Sequence, residues 1–296
     1  MIAVKRIFIG ADRRLQPIWR AILFVVASYF VLSPVLDWVF SRVAEWLDMP
    51  ERLSPAAVAL AEFENFLIAL ICTAAFALYE RRRVDSYGLP VNRAFGRHTA
   101  EGLIAGILMA AAVALGMILL GGMHIRGLAM SGGALVGYAL SWFGTSICVG
   151  VAEEFWFRSY FQQTLWKAMG FWPSAVVIAI LFAAIHYFFK QGENIWDVIT
   201  LLSLSLLLSY SLLRTGTLWF AVGFHVAFDY MQLFVIGTPN GARIPVGRLL
   251  NVHFIGPAWL TGGVLGTEAS FLMYPAIALL WLYVWWRYRG NPPLKV

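Results

Sequence analysis

The chain has 296 residues, of which 60% are apolar and only 13% are charged. A soluble globular domain is about 45–50% apolar and about 25% charged, so this composition excludes a soluble enzyme. Intrinsic disorder is also excluded, because it requires low hydrophobicity together with a high net charge. The composition predicts an all-α, polytopic membrane helical bundle, since a helix of about 20 apolar residues crosses a bilayer.

Apolar segments in chain order predict about eight transmembrane helices in a single membrane domain that comprises residues 1–296. The predicted helices lie near residues 18–40, 58–79, 102–122, 135–168, 172–190, 197–213, 216–236 and 269–286. The spacing Gly102-x-x-x-Gly106 in the third helix is typical of a helix-packing motif. Residues 237–268 are rich in Gly and Pro, which predicts an irregular, partly re-entrant extracytoplasmic connection rather than one helix.

Basic residues are distributed unevenly between the two sets of connections. One set holds Lys5, Arg6, Arg13, Arg14, Arg81, Arg82, Arg83, Arg93, Arg97, Lys167, Arg214, Arg287, Arg289 and Lys295, and the other holds Arg42, Arg52, Arg126, Lys190, Arg243 and Arg248. Basic connections favour the cytoplasmic side, so both termini are predicted to be cytoplasmic, with the protein integral to the cytoplasmic membrane. The same rule explains the net charge of +6, so membrane lipid is the expected partner and nucleic acid is not.

Ionisable side chains inside apolar helices mark candidate functional positions, because each costs about 2.5–3.5 kcal/mol at the helix centre. The fourth predicted helix contains Glu153, Glu154 and Arg158. Glu154 and Arg158 are four residues apart on one helix face, which predicts an ion pair. Glu153 points about 100° away from Glu154 and is therefore free for a different role.

Two further helices carry isolated polar groups. His186 stands alone in the fifth apolar helix, whereas His225 and Asp229 share one face of the seventh helix at a spacing of four residues. Asp37, Glu62 and Glu64 are interpreted as boundary residues near membrane interfaces.

The turn at Gly170 allows the depths of Glu153 and His186 in the membrane to be compared. Glu153 precedes Gly170 by 17 residues and His186 follows it by 16, so each lies roughly 25 Å from the turn at about 1.5 Å per residue. This estimate requires the fourth helix to continue unbroken through Arg158 and Lys167. The three segments can then converge on one polar intramembrane cavity.

Two chemical interpretations of such a cavity lead to hydrolysis of an amide. In the first, Glu153 is the general base that activates a water molecule. In the second, His186, His225 and Asp229 bind a divalent metal such as zinc, and a carboxylate takes the proton. A purely structural interpretation makes the histidines packing partners and leaves Glu154–Arg158 as a buried ion pair.

The three motifs together resemble those of the CPBP family of intramembrane proteases, which includes the Rce1-type CAAX prenyl endopeptidases and bacterial bacteriocin-processing or self-immunity proteins. The family motifs are Glu-Glu-x-x-x-Arg, Phe-x-x-x-His and His-x-x-x-Asn/Asp. Here they read Glu153-Glu154-Phe155-Trp156-Phe157-Arg158, Phe182-Ala183-Ala184-Ile185-His186 and His225-Val226-Ala227-Phe228-Asp229. The resemblance covers a catalytic core of about residues 135–235.

The resemblance implies an intramembrane endopeptidase, of metallo or glutamic type, that cleaves a membrane-associated protein or peptide. By this resemblance, Glu153 activates the attacking water. The side chains that orient this water, stabilise the oxyanion or bind metal are His186, His225 and Asp229. The supporting residues are Glu154, Arg158 and Phe182. The prenyl-processing members have Asn where this chain has Asp229, which weakens the implication that the substrate is lipidated. Two alternatives stay open: a non-catalytic immunity or scaffold protein of the same fold, and an ion-coupled transporter.

Overall fold

The computed structural model describes residues 7–10, 13–49 and 53–296. Within these ranges, eight helical segments are long and apolar enough to cross a membrane, which confirms the predicted all-α bundle. Lys5, Arg6 and Arg52, which contribute to the predicted orientation, lie outside the described residues.

In the described residues, the first half of the chain contains helices α1 to α5 and strand β1. Helix α1 is Pro17–Trp46, α2 is Pro55–Glu80, α3 is Arg97–Leu119, α4 is Gly132–Arg158 and α5 is Tyr160–Met169; strand β1 is Met123–Leu128. Short 3₁₀ turns at Val84–Tyr87 and Val91–Arg93 connect α2 to α3. Helix α1 has a π-helical segment, Ala27–Leu32, just before Pro34, because proline has no N–H to continue the α-helical hydrogen bonding.

The second half contains the helices that follow Gly170. Helix α6 is Phe171–Phe189, α7 is Ile195–Thr215, α8 is Trp219–Ile236, α9 is Ala258–Thr261 and α10 is Met273–Tyr288. The last part of α8, Tyr230–Ile236, is π-helical, and a 3₁₀ segment, Gly263–Ala269, precedes α10. Strand β2, Leu250–Phe254, pairs antiparallel with β1, and Met123 lies opposite Phe254. The connection predicted to be irregular thus contains a strand, a short helix and a 3₁₀ segment.

Side-chain caps define where two of the helices begin. The Ser54 hydroxyl accepts a hydrogen bond from the Ala57 N–H at 3.3 Å, and Pro55 occupies the first helical position, where its missing N–H costs nothing. Asn194 caps α7 by accepting hydrogen bonds from two backbone N–H groups. Gly216 ends α7 with φ of 72°, a left-handed conformation that glycine adopts without strain.

The prediction that the fourth helix continues through Lys167 is wrong. Helix α4 ends at Arg158, and Ser159 has a ψ of −113°, so α5 begins in a new direction at Tyr160. The Ser159 hydroxyl donates a hydrogen bond to the carbonyl of Phe155, four residues earlier, a bond that competes with helical geometry. The depth estimate for Glu153 therefore does not follow from a straight helix.

Glycines in α3 allow it to pack closely against α8, the helix that carries the third motif. A side chain at Gly102 would clash with the carbonyl oxygen of Phe220, and one at Gly106 would clash with that of Phe224. Helix α8 also packs against α4 and α7, and it is the most buried of the spans in the described residues. The predicted glycine motif therefore holds α8, and with it His225, in the centre of the bundle.

Candidate active site

Glu154 and Arg158 form an ion pair near the end of α4, as their spacing predicts. Arg158 Nη1 donates to Glu154 Oε1 at 2.8 Å, and both side chains are 0% exposed. Arg158 Nη2 also donates to the Ser205 hydroxyl in α7 at 2.8 Å, and its guanidinium lies 5.5 Å from the centre of the Phe182 ring in α6. The buried pair therefore connects α4 with α6 and α7.

His225 connects α8 to the same pair. Its Nδ1 lies 3.1 Å from Glu154 Oε1, the oxygen that also accepts from Arg158. Because a carboxylate only accepts, Nδ1 carries the hydrogen of this bond. The other ring nitrogen, Nε2, lies 3.6 Å from Glu153 Oε2 and 3.7 Å from Asp229 Oδ2, distances that are too long for hydrogen bonds.

Glu153 differs from its neighbour Glu154 in having no fixed partner. Its Oε2 is buried and has no hydrogen-bond partner among the described residues. Its side chain is 19% exposed, whereas that of Glu154 is completely buried. The two adjacent carboxylates thus occupy different environments: Glu154 is held by a cation, and Glu153 is available to a small molecule in the cavity.

His186 is oriented by the helix that carries it. Its Nδ1 lies 2.9 Å from the carbonyl oxygen of Phe182, one turn earlier in α6, and its ring contacts the Phe182 ring at a centroid distance of 4.5 Å. A carbonyl oxygen can only accept, so Nδ1 is the donor. Nε2 is consequently the nitrogen that His186 can offer to water or substrate.

The predicted residues surround a cavity of about 240 Å³ inside the bundle. Its wall includes Glu153, Arg158, Phe182, His186, His225 and Asp229. A second cavity, of about 280 Å³, extends from Glu153 and His186 towards α1, and its apolar lining comes from Tyr29, Trp156, Phe157, Ile185 and Phe189. The structure therefore brings the three motifs together around the first space, here called the polar cavity. The second space shares charged residues with it and is here called the apolar cavity after its aromatic and aliphatic wall.

The interpretation of Glu62 as a boundary residue is wrong. Glu62 is the eighth residue of α2, and it lines both cavities together with Glu153 and His186. Glu64 does not line either cavity and instead interacts with Asp37 of α1. The signal available in the sequence was the position of Glu62, two turns inside an apolar helix.

Sequence reasoning also missed Lys190, a second charged residue that lines the polar cavity. Lys190, which follows α6, lies 2.7 Å from Glu268 and 3.4 Å from Glu193. Burial by itself would lower the pKa of Lys190, but the nearby carboxylates of Glu268, Asp197 and Glu193 raise it above its ordinary value. The ammonium group therefore stays charged at neutral pH, and its salt bridges connect the end of α6 to the segment before α10.

The side chains do not form a ready metal site. Within residues 7–10, 13–49 and 53–296, no group of three or more His, Cys, Asp or Glu side chains is placed to hold one ion. His225 directs Nδ1 to Glu154 and His186 directs Nδ1 to a backbone carbonyl, which leaves Nε2 of each ring as the only nitrogen that could bind a metal. The steps derived below therefore use protein groups and water, and the metal stays a prediction for experiment.

The fold and the site define a class of protein: a polytopic helical membrane protein with acidic and imidazole groups around an internal polar cavity. Residues 135–231, about a third of the chain, match the family described as type II CAAX prenyl endopeptidase, Rce1-like. This segment contains all three motifs, and the match supports the predicted resemblance to the CPBP/CAAX protease family. At the family level, the match supports a CAAX-type intramembrane protease whose substrate is a protein or peptide. No curated protein matches the chain.

Proposed function

We propose that this protein is an endopeptidase that hydrolyses a peptide bond at the polar cavity, with Glu153 as the base that activates water. The observation that supports the proposal is the contrast between two adjacent carboxylates. Glu154 is neutralised by Arg158, whereas Glu153 faces the cavity with an unpartnered oxygen. A general base must reach the proton that it removes, either directly or through one water, and Glu153 satisfies this requirement for a water molecule in the cavity.

The reaction begins when Glu153 takes a proton from water and the water oxygen bonds to the substrate carbonyl carbon. The proton then passes to the amide nitrogen as the C–N bond breaks, which gives a carboxylic acid and an amine. His225 lies beside the carboxylates of Glu153, Glu154 and Asp229, which favour the doubly protonated ring; in that form Nε2 carries a hydrogen and is suited to donate to the oxyanion of the intermediate. Glu154 fixes the His225 ring through Nδ1 and so acts on the reaction through His225.

We further propose that the substrate reaches the site from the extracytoplasmic face. The even number of candidate spans in the described residues supports an arrangement with both ends of the chain on one face, together with the more basic connections. The rim residues Leu53, Lys190 and Asn240 belong to connections, or the ends of connections, on the opposite face.

Cysteine labelling tests this orientation, once both native cysteines have been replaced by alanine. Ile244→Cys, in the exposed connection beyond α8, is expected to react with a membrane-impermeant maleimide on intact cells. Lys295→Cys, near the C-terminus, is expected to react only after the membrane is permeabilised. The reverse pattern would place the termini outside and the cavity rim in the cytoplasm.

The apolar cavity supports a membrane-associated substrate. Its lining includes Trp156 and Phe157 from α4 and the highly exposed Phe189 at the end of α6, so it joins the catalytic region to the lipid-facing surface. We propose that this space accepts an apolar side chain or a lipid chain of the substrate while the scissile bond lies beside Glu153. Membrane lipid is the environment from which such a substrate approaches.

The central experiment compares new peptide termini, measured by quantitative mass spectrometry, in membranes that contain wild-type protein or Glu153→Gln. Glu45→Gln is the matched control, because Glu45 forms only an exposed pair with Arg42. Termini that appear with wild-type protein and Glu45→Gln, but not with Glu153→Gln, identify products. Equal product formation by Glu153→Gln would refute the proposed base.

The same experiment distinguishes the other classes of function. A scaffold or immunity protein would produce no new termini with any form, and its biological effect would survive Glu153→Gln. A transporter would also produce none, and the purified protein in liposomes would carry ions or solute.

A further inference from the structure

The polar and apolar cavities meet at four residues, and all four are titratable. These shared residues are Glu62, Glu153, His186 and Lys190. Lys190 is bound by Glu268 and Glu193, and the proposed reaction already uses Glu153. Glu62 is the shared carboxylate with no role in that reaction, and it comes from α2, which lies outside the family-matched segment.

The contacts of Glu62 indicate that its side chain faces the polar cavity. Its Oε2 accepts one long hydrogen bond, 3.4 Å, from the Asn65 side chain of the same helix. Across the cavity, Glu62 interacts electrostatically with Glu153, His225 and Asp229. A half-buried carboxylate is costly in an apolar helix unless it is paired or used, and no Lys or Arg forms a salt bridge with Glu62 among the described residues.

We propose that Glu62 is a second catalytic carboxylate that holds the hydrolytic water together with Glu153. A water molecule has two O–H groups; one donates to Glu153, which removes that proton, and the other donates to Glu62. With both hydrogens directed at carboxylates, a lone pair of the water oxygen is left to form the new bond to the carbonyl carbon. The proton on Glu153 is delivered to the amide nitrogen as the C–N bond breaks, and Glu62 keeps its protonation state throughout.

This inference rests on the proposed peptidase activity and adds α2 to the helices that form the active site. It predicts that Glu62 must accept a hydrogen bond but need not exchange a proton. Glu62→Leu removes the acceptor, whereas Glu62→Gln retains an amide oxygen of similar position that accepts from water. Glu64 offers a matched control, because it lies on the same helix about 200° away and outside both cavities.

The test measures kcat and KM of purified protein in liposomes, with a peptide that spans a cleavage site identified from the wild-type products. Glu62→Leu is expected to lower kcat by about 100-fold with little change in KM, since the lost contact acts on the water. Glu62→Gln is expected to stay within about tenfold of wild type, and Glu64→Leu close to wild type. Thermal unfolding of each variant in detergent shows whether the bundle is intact.

Several results would overturn the inference. Wild-type turnover in Glu62→Leu would show that Glu62 does not hold the water. Equal losses in Glu62→Leu and Glu64→Leu would indicate a structural role for α2, and equal losses in Glu62→Leu and Glu62→Gln would require proton exchange at Glu62. Failure of the peptidase proposal itself would give a different result. In that case neither the wild-type protein nor any variant would form product that depends on Glu153.

Discussion

Because Glu153 and Glu154 lie in different environments, their substitution is expected to change the free energy of unfolding by different amounts. Glu154→Gln removes the negative charge that neutralises Arg158, a guanidinium with 0% exposure, and leaves it with neutral acceptors only: the introduced amide oxygen and the Ser205 hydroxyl and carbonyl. Removing one partner of a buried ion pair typically costs about 3–5 kcal/mol, because the remaining charge stays buried. We therefore expect Glu154→Gln to lower the free energy of unfolding by about 3–5 kcal/mol. Glu153→Gln should retain stability, since a neutral amide is cheaper to bury than an unpaired carboxylate.

The assay is reversible unfolding in mixed micelles, followed by circular dichroism, with Glu153→Gln as the isosteric control at the next position. The double substitution Glu154→Met with Arg158→Met removes both charges, and it should recover most of the lost stability because no unpaired charge remains. Equal unfolding midpoints for Glu154→Gln and Glu153→Gln would refute the reasoning. So would a double variant that is no more stable than Glu154→Gln alone.

Two further predictions concern the helix contact and the metal. Gly106→Ala should destabilise the bundle by about 1–3 kcal/mol and lower peptide cleavage, because the added methyl group pushes α8 and its His225 away from α3. Unfolding and cleavage are measured on the same preparation, and an unaffected variant would contradict the close contact. Dialysis against a chelator should leave cleavage unchanged, because no three His, Cys, Asp or Glu side chains in the described residues are placed to hold one ion. A loss of cleavage that zinc restores would establish the metal-assisted mechanism instead.

Much of the fold was predictable because its main signals are local. The eight apolar segments could be read from composition, and the spacing of Glu154 and Arg158 was enough to predict their ion pair. The Gly102-x-x-x-Gly106 motif indicated close packing, but not which helix it contacts. Only the structure shows that this helix is α8, since a single sequence does not specify contacts between distant segments.

The predictions that were wrong or incomplete share a physical cause, because each depends on contacts that helix periodicity cannot show. The end of α4 at Arg158 depends on the Ser159 hydroxyl bonding back to a carbonyl, a choice that tertiary packing decides. Glu62 was placed at the interface because it lies near the start of an apolar segment, yet α2 begins earlier, at Pro55, and this takes Glu62 to the cavities. The buried cluster around Lys190 joins residues far apart in the chain and left no periodic signal.

The claim that side chains from separate helices act on one scissile bond is tested most directly by kinetics of single and double substitutions. We would measure peptide cleavage by Glu153→Gln, by His225→Ala and by the combination. Each single change is expected to lower kcat by about 10²–10⁴-fold, and the combination should cost little more than the worse single change, because residues that act as a unit are not additive. Losses that multiply, or wild-type turnover in either single variant, would contradict a shared active site.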